Sequence, residues 1–168
     1  PPKAYGEYTT RESIVGRTGI TLDAMALPEV AANHSLSLLL HPQRVNRLAQ
    51  QGARENDAYN LDAMLATMVE RIFDNEHNNA LEAKVQHRIQ WLTAQHFATL
   101  IVSDKVAPEV QAQFKFYLKR VADDYRQDKL LGSVSSGESA FKQHLADAIN
   151  HFLESGQWQQ SFKPLPMP

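Results

Sequence analysis

In residues 79–102 the chain reads NALEAKVQHRIQWLTAQHFATLIV, and this stretch decides its fold class. One stripe at helical spacing carries Leu81, Val85, Ile89, Leu92, His96 and Leu100. Trp91, Phe97 and Ile101 widen that stripe on its flanks. A helix with so wide an apolar face packs against other elements on more than one side. We therefore expect a central helix over 79–102, surrounded by further helices.

Prolines mark the beginnings of three other helices. Proline suits a first helical turn, because its missing N–H group needs no partner there. We expect one helix to begin at Pro28 and end near Leu40, and a second to run from Pro42 to about Gly52. A helix with an apolar face suited to the core follows Pro108.

Local signals bound the remaining helices. Asn60 has the character of an N-cap, and apolar residues recur at helical spacing from there to Ile72. The glycine- and serine-rich stretch 132–137 predicts a loop. We expect a sixth helix after this loop, with Gly156 as the residue that ends it.

These elements predict an all-α fold, with roughly six helices arranged as a bundle or as a stacked-helix domain. We expect an extended lead-in over residues 1–22, a helical domain over 23–156 and a proline-rich tail over 157–168, held on the helices by Trp158 and Phe162. The chain begins with Pro1 rather than methionine and ends in a proline-rich sequence, so we expect it to be a piece of a longer protein.

Composition limits the possible functions. The 168 residues are 43% apolar and 21% charged, as in one globular domain. The formal net charge is −2, and basic residues are scattered among acidic ones. This charge pattern is not that of a protein that binds nucleic acid or an anionic membrane. The absence of cysteine excludes disulfides, thiolate metal sites and cysteine nucleophiles. No apolar run approaches the roughly 20 residues of a membrane-spanning helix.

Seven histidines raise the question of a metal site. The commonest helical zinc signature has two histidines at i and i+4 with a glutamate after the first, and no histidine here precedes a glutamate. His34 and His41 are seven residues apart, as are His144 and His151, which is about 10 Å along a helix axis. Zinc binds nitrogen at about 2.0–2.1 Å, so neither pair shares one ion. We predict no catalytic, cofactor-binding or metal-binding residue in this chain.

Structural roles account for the histidines more simply. His41, next to Pro42, is expected to close one helix or cap the next. His96 lies within an apolar stripe, where a core histidine usually bonds to a neighbouring carbonyl group. His77 lies in a polar turn.

Two other groups of residues have simple interpretations. Asp57, Asn60 and Asp62 resemble part of a calcium-binding loop, but its glycine and its bidentate glutamate are missing, so loop polarity and helix capping explain them better. A second group combines aromatic and basic residues in the manner of a base-stacking platform: Phe114, Tyr117, Tyr125, Lys115, Lys119 and Arg120. Its aromatic members have core spacing and its cations lie on the opposite side, which indicates a core face with a solvated flank.

A family resemblance is carried by residues 17–73, which read RTGITLDAMALPEVAANHSLSLLLHPQRVNRLAQQGARENDAYNLDAMLATMVERIF. This run resembles the C-terminal region of large bacterial zinc-dependent metalloproteases of the met-zincin type. In that family an R-T-G-x-x-x-D entry leads to a leucine-rich helix, and a histidine-proline step, here His41-Pro42, leads into an arginine-containing helix. Residues 87–97, 107–121 and 144–154 are similar to later helices of the family.

The resemblance implies a function for the chain. In such proteins the zinc-binding H-E-x-x-H-x-x-G-x-x-H helix and its methionine turn lie upstream, and no residue here matches them. The chain would be a non-catalytic C-terminal helical domain that packs against or positions the upstream peptidase domain, or engages a protein or peptide substrate. Zinc would belong to that upstream domain, in an exported, cell-envelope parent protein. The alternative is a helical-repeat-like interaction module, which would present a large exposed apolar groove.

Overall fold

The structure is a computed structural model that describes residues 27–55, 60–74, 82–131 and 136–158. Within these ranges it contains six α-helices, α1 (Leu27–Leu39), α2 (Pro42–Glu55), α3 (Leu61–Phe73), α4 (Ala83–Ile101), α5 (Pro108–Leu131) and α6 (Ser136–Ser155). The described ranges contain no strand, which confirms the all-α fold class. None of the six helices is long and apolar enough to cross a bilayer. The predicted lead-in and residues 159–168 of the predicted tail, with Phe162, lie outside the described ranges.

Helix ends follow the local signals in the sequence. The Asn60 side chain accepts a hydrogen bond of 2.8 Å from the backbone N–H of Ala63, which confirms it as the N-cap of α3. Nδ1 of His41 accepts one of 3.2 Å from the N–H of Gln43 and so caps α2. Gly156 follows α6 with a φ of 76°, the left-handed conformation that glycine adopts most easily.

Three helix boundaries differ from the predictions. Helix α2 continues through Gly52, which is buried against Asn60 so closely that a Cβ atom would have no room. This glycine therefore permits close packing inside a helix rather than ending one. Helix α4 begins only at Ala83, because Glu82 is extended (φ −62°, ψ 147°). Helix α6 begins at Ser136, so the last two residues of the predicted loop over 132–137 are helical.

The core-facing side of α4 also differs from the predicted stripe. Trp91 and Phe97 are 2% and 0% exposed, whereas Leu92 and His96 are only partly buried. Helices α5 and α6 pack against α4, and the ring of Phe114 on α5 meets Phe97 edge-on at 5.1 Å between centroids. The Leu92 side is bordered instead by α1, which leaves it half open. Trp91 and Phe97, which were expected to flank the stripe, are thus central to the core, whereas Leu100 of the stripe is buried as predicted and Ile101 is only partly buried.

Helices that are distant in sequence close the structure into a bundle. The hydroxyl of Tyr125 on α5 donates to the carbonyl of Phe73 at the end of α3, at 3.1 Å. The side-chain amide of Gln90 on α4 donates to the carbonyl of Ile72, at 3.0 Å. Helix α1 packs mainly on α4 rather than on its neighbour in sequence. A stacked-helix solenoid would have contacts only between consecutive units, so the architecture is a bundle.

Asn46 joins α2 to the loop between α4 and α5. Its amide group donates to the carbonyl of Lys105 at 2.9 Å, and its carbonyl oxygen accepts from the N–H of Ala107 at 3.0 Å. Both acceptor and donor lie in the loop between α4 and α5. The side chain of Gln111 donates to the carbonyl of Ser103 at 2.7 Å and holds the same loop from α5.

Candidate functional site

A shallow groove between α1 and α4 is the candidate site. It has a volume of about 260 Å³ and is lined by Asn33, Leu92, Gln95, His96 and Thr99. Helical spacing brings these residues together, because Leu92, Gln95, His96 and Thr99 occupy successive turns of one side of α4. Four of the five lining side chains are polar and none carries a full charge at neutral pH. The groove is therefore suited to hydrogen bonding rather than to binding an ion.

His96 has a different partner from the one predicted. Its Nε2 lies 2.9 Å from Oδ1 of Asn33, a side chain of another helix, rather than beside a backbone carbonyl of the core. The imidazole is half-buried, and burial lowers its pKa from the usual 6.5. Neutral His96 donates from Nε2 to Oδ1 of Asn33, which leaves Nδ1 as an acceptor.

Two further histidines take part in packing between helices. The ring of His87 stacks on Phe141 of α6, with 4.0 Å between centroids and 8° between the planes. His144 of α6 stacks on Trp91 at 5.0 Å. The pKa of His87 is lowered from 6.5, first by burial and then by the nearby Lys142 ammonium group. These rings join α4 to α6, a role that the sequence did not reveal.

No group of three or more His, Cys, Asp or Glu residues in the described ranges is arranged to hold a metal ion. His34 is an exposed residue of α1, whereas His41 lies beyond the end of that helix. His77 and Asp57 lie outside the described ranges. The residues that the structure describes therefore do not fit a zinc ion, and no chemical step is assigned through one.

The partial calcium-loop pattern has a structural explanation. Asn60 caps α3, as stated above. The carboxylate of Asp62 accepts a hydrogen bond of 2.8 Å from the hydroxyl of Tyr117, and this contact joins α3 to α5. Burial raises the pKa of Tyr117 to about 12, with a further contribution from the hydrogen bond to Asp62.

The aromatic and basic residues of the group that resembles a base-stacking platform lie on opposite sides of α5, as expected. Phe114, Tyr117 and Tyr125 are buried, at 0%, 4% and 3% exposure. The cations Lys115, Lys119 and Arg120 are exposed. The aromatic rings are therefore occupied by the core and do not form a surface platform.

Trp158 also lies where the sequence analysis placed it. Its ring meets Trp91 edge-on, with 5.3 Å between centroids, and lies 6.3 Å from the ring of Phe152. The segment that follows α6 is thereby held against α4 and α6 at this residue.

Comparison with known proteins finds a similarity for the first part of the chain. The family model described as Met-zincin matches residues 3–80, a little under half of the sequence. This match is consistent with a met-zincin-related region over residues 3–80. The described part of this region comprises α1, α2 and α3, and it includes Asn33 of the groove. No curated protein and no solved structure matches the chain.

The met-zincin match supports a relationship between this protein and metalloproteases. It also suggests zinc as a cofactor in that family. It identifies no functional residue among the groove-lining side chains. Sequence reasoning missed the groove because its two walls are 63 residues apart at the Asn33 to His96 contact.

Proposed function

We propose that this chain is a non-catalytic helical domain of a zinc metalloprotease-like protein, and that it packs against or positions an upstream peptidase domain. The observation that carries the proposal is the met-zincin match over residues 3–80. The described helices of that region share one core with α4, α5 and α6. In this proposal the helical domain spans residues 23–156, residues 1–22 link it to the peptidase domain, and residues 157–168 form its tail.

The roles of the histidines support a non-catalytic domain. His41 caps a helix, His96 is bonded to Asn33, and His87 and His144 are stacked on aromatic rings. Each of these side chains has a structural use that would compete with metal binding. The zinc and the water that it activates would therefore belong to the upstream domain, which would carry the peptide-hydrolysing chemistry.

The resemblance also supports proposals about the location of the parent protein and about its substrate. The parent protein would be exported to the cell envelope, and the helical domain would help to present a protein or peptide substrate. Fractionation of cells that express the parent protein would test its location, because an exported protein leaves the cytoplasmic fraction.

The alternative function, a helical-repeat-like interaction module, has less support. A module of that kind would present a large apolar groove, whereas the groove between α1 and α4 is small and largely polar. Contacts between helices that are distant in sequence also favour a closed bundle over an extended repeat array.

The proposal is tested with the 168-residue chain and with its longer parent protein. Each is purified, its zinc is measured by elemental analysis, and hydrolysis of a fluorogenic peptide mixture is recorded. We expect zinc and turnover in the parent protein, and a folded but inactive 168-residue chain. Stoichiometric zinc with turnover in the 168-residue chain would overturn the non-catalytic role.

A second experiment tests the relationship to the peptidase domain. An H-E-x-x-H helix is expected in the parent reading frame upstream of residue 1. Chemical cross-linking of the intact parent should then join surface lysines of the helical bundle to that upstream region. A parent protein without the motif would refute the assignment to a metalloprotease.

A further inference from the structure

Phe116 places an aromatic ring on the outer side of α5. It is 62% exposed, whereas Phe114 is completely buried. The two residues are about 200° apart around a helix of 3.6 residues per turn, so Phe116 points away from the core. One side of its ring is supported by Tyr117, which it meets edge-on with 5.1 Å between centroids. A single exposed apolar side chain is ordinary on a protein surface, so its surroundings decide what it can do.

Three exposed cations lie around Phe116 on the same side of α5. Lys119 and Arg120 follow it by three and four residues, the spacing that makes side chains neighbours on a helix. Lys115 precedes Lys119 by four residues and so borders the same group. We call these four residues, Lys115, Phe116, Lys119 and Arg120, the Phe116 face.

The positive charge of the Phe116 face is only partly neutralised. Nζ of Lys119 lies 3.4 Å from Oδ1 of Asp123, but both side chains are more than half exposed, so this pair is weak. Lys115 and Arg120 form no ion pair with any residue that the structure describes. Lys115 and Lys119 also repel each other, because like charges four residues apart destabilise a helix. Carboxylates from outside the chain would therefore be favourable here.

We propose that the Phe116 face binds an acidic segment of a partner protein, in which an apolar side chain covers Phe116 and flanking Asp or Glu residues pair with the three cations. Carboxylates form charge-assisted hydrogen bonds with lysine and can bind the guanidinium group of Arg120 through two parallel bonds. Phenylalanine and arginine are also enriched at protein interfaces. This inference concerns the surface of α5 and does not depend on the proposed peptidase role.

Two other anionic partners fit the Phe116 face less well. Single-stranded nucleic acid is bound along a basic groove with several rings on which successive bases stack. Phe116 is the one exposed Phe, Tyr or Trp among the residues that the structure describes, and the formal net charge of the chain is −2. Anionic membranes attract larger clusters, of about 4–8 basic residues. One ring among three cations matches a short acidic peptide segment better.

An unbiased peptide selection tests the proposal. The 168-residue chain is immobilised and presented with a phage-displayed library of random dodecapeptides, and the affinity of enriched peptides is measured by fluorescence anisotropy. We expect enriched peptides to carry several Asp or Glu residues around an apolar residue. Their affinity should fall as salt is added, because exposed charges are screened. The absence of enrichment, or enrichment of peptides without acidic residues, would overturn the proposal.

Two variants and two matched controls locate the binding surface. Phe116→Ala and Lys115→Glu should each raise the dissociation constant of an enriched acidic peptide roughly tenfold. Leu38→Ala removes an equally exposed apolar side chain from α1, since Leu38 is also 62% exposed. Lys105→Glu makes the same charge change at an exposed lysine of the loop between α4 and α5. Both controls should bind like the unchanged protein, and circular dichroism should show that all four variants are folded.

The same variants separate the proposal from its competitors. Equal weakening by Lys115→Glu and Lys105→Glu, or full binding by Phe116→Ala, would show that the peptide does not bind the Phe116 face and would overturn the proposal. Phosphatidylserine vesicles and a single-stranded oligonucleotide are tested in parallel. Binding to either that is tighter than binding to the acidic peptide, and that is lost in Phe116→Ala, would assign the face to that partner instead.

Discussion

Removing the side chain of Asn46 should loosen the contact between α2 and the loop that joins α4 to α5. Asn46→Ala deletes the two hydrogen bonds to Lys105 and Ala107, of 2.9 and 3.0 Å. Each such bond contributes about 0.5–1.5 kcal/mol net. The loss is partly offset by about 0.6 kcal/mol, because alanine has a higher helix propensity than asparagine. We therefore expect the free energy of unfolding to fall by about 1–2 kcal/mol.

A second asparagine provides the control. Asn150 is also half-buried within a helix, but its side chain donates to the carbonyl of Ala146 in its own helix, at 3.0 Å. Asn150→Ala gains the same helix propensity and breaks no contact between elements. The difference between the two variants thus compares the contact with the loop against a single side-chain hydrogen bond within one helix.

Urea unfolding monitored by circular dichroism measures this difference. Asn46→Asp should give an intermediate loss, since a carboxylate still accepts from the N–H of Ala107 but cannot donate to Lys105. The slope of the unfolding free energy with urea should stay the same in all three variants. Equal losses for Asn46→Ala and Asn150→Ala would show that the two hydrogen bonds to the loop contribute no more than one hydrogen bond within a helix, and would refute the expected effect of the loop contact.

Three further predictions concern the core, a buried hydroxyl and a histidine. Phe114→Ala should lower the free energy of unfolding by about 3–5 kcal/mol, whereas Phe116→Ala on the outer side of α5 should change it by less than about 0.5 kcal/mol in urea titrations. Tyr117→Phe should cost about 1 kcal/mol, and ultraviolet titration should show that it removes the tyrosine that ionises at about pH 12 in the folded protein. The pKa of His87 is lower in the folded chain than in the unfolded chain, so the unfolded chain binds a proton first as the pH falls. The contribution of His87 to the free energy of unfolding should be fully present above pH 6.5 and should be lost as the pH falls below it. Between pH 7.5 and pH 5.5, the free energy of unfolding should therefore fall less in His87→Gln than in the unchanged protein.

Local chemistry explains which features could be predicted from the sequence. An N-cap, a proline in a first turn and a glycine after a helix act within a few residues, so Asn60, Pro108 and Gly156 revealed helix boundaries directly. Gly52 misled the prediction because a glycine within a helix and a glycine after a helix look alike in sequence. Only the approach of Asn60 to that position distinguishes the two.

Contacts between distant elements explain the rest. Periodicity predicted that α4 has a wide apolar face, but not which side of it would meet α5 and α6. Leu92 and His96 looked as buried as Phe97, and the position of α1 left them partly open. Lys142 is another example, since it is only 4% exposed and lies 5.1 Å above the ring of Tyr125. No local pattern marks a lysine for burial, because its surroundings come from another helix.

The end of the met-zincin match at residue 80 does not coincide with the edge of a folding unit. Leu61 and Leu65 of α3 are both 0% exposed and belong to the same core cluster as Phe114 of α5. Burying a leucine side chain stabilises a fold by about 1.5–3 kcal/mol, and the matched region would lose that burial without α4, α5 and α6. The hydrogen bond from Tyr117 to Asp62 crosses the same boundary. A surface contributed by α1 therefore depends on helices beyond the matched region, and the proposed contact with a peptidase domain would be made by the bundle as a whole.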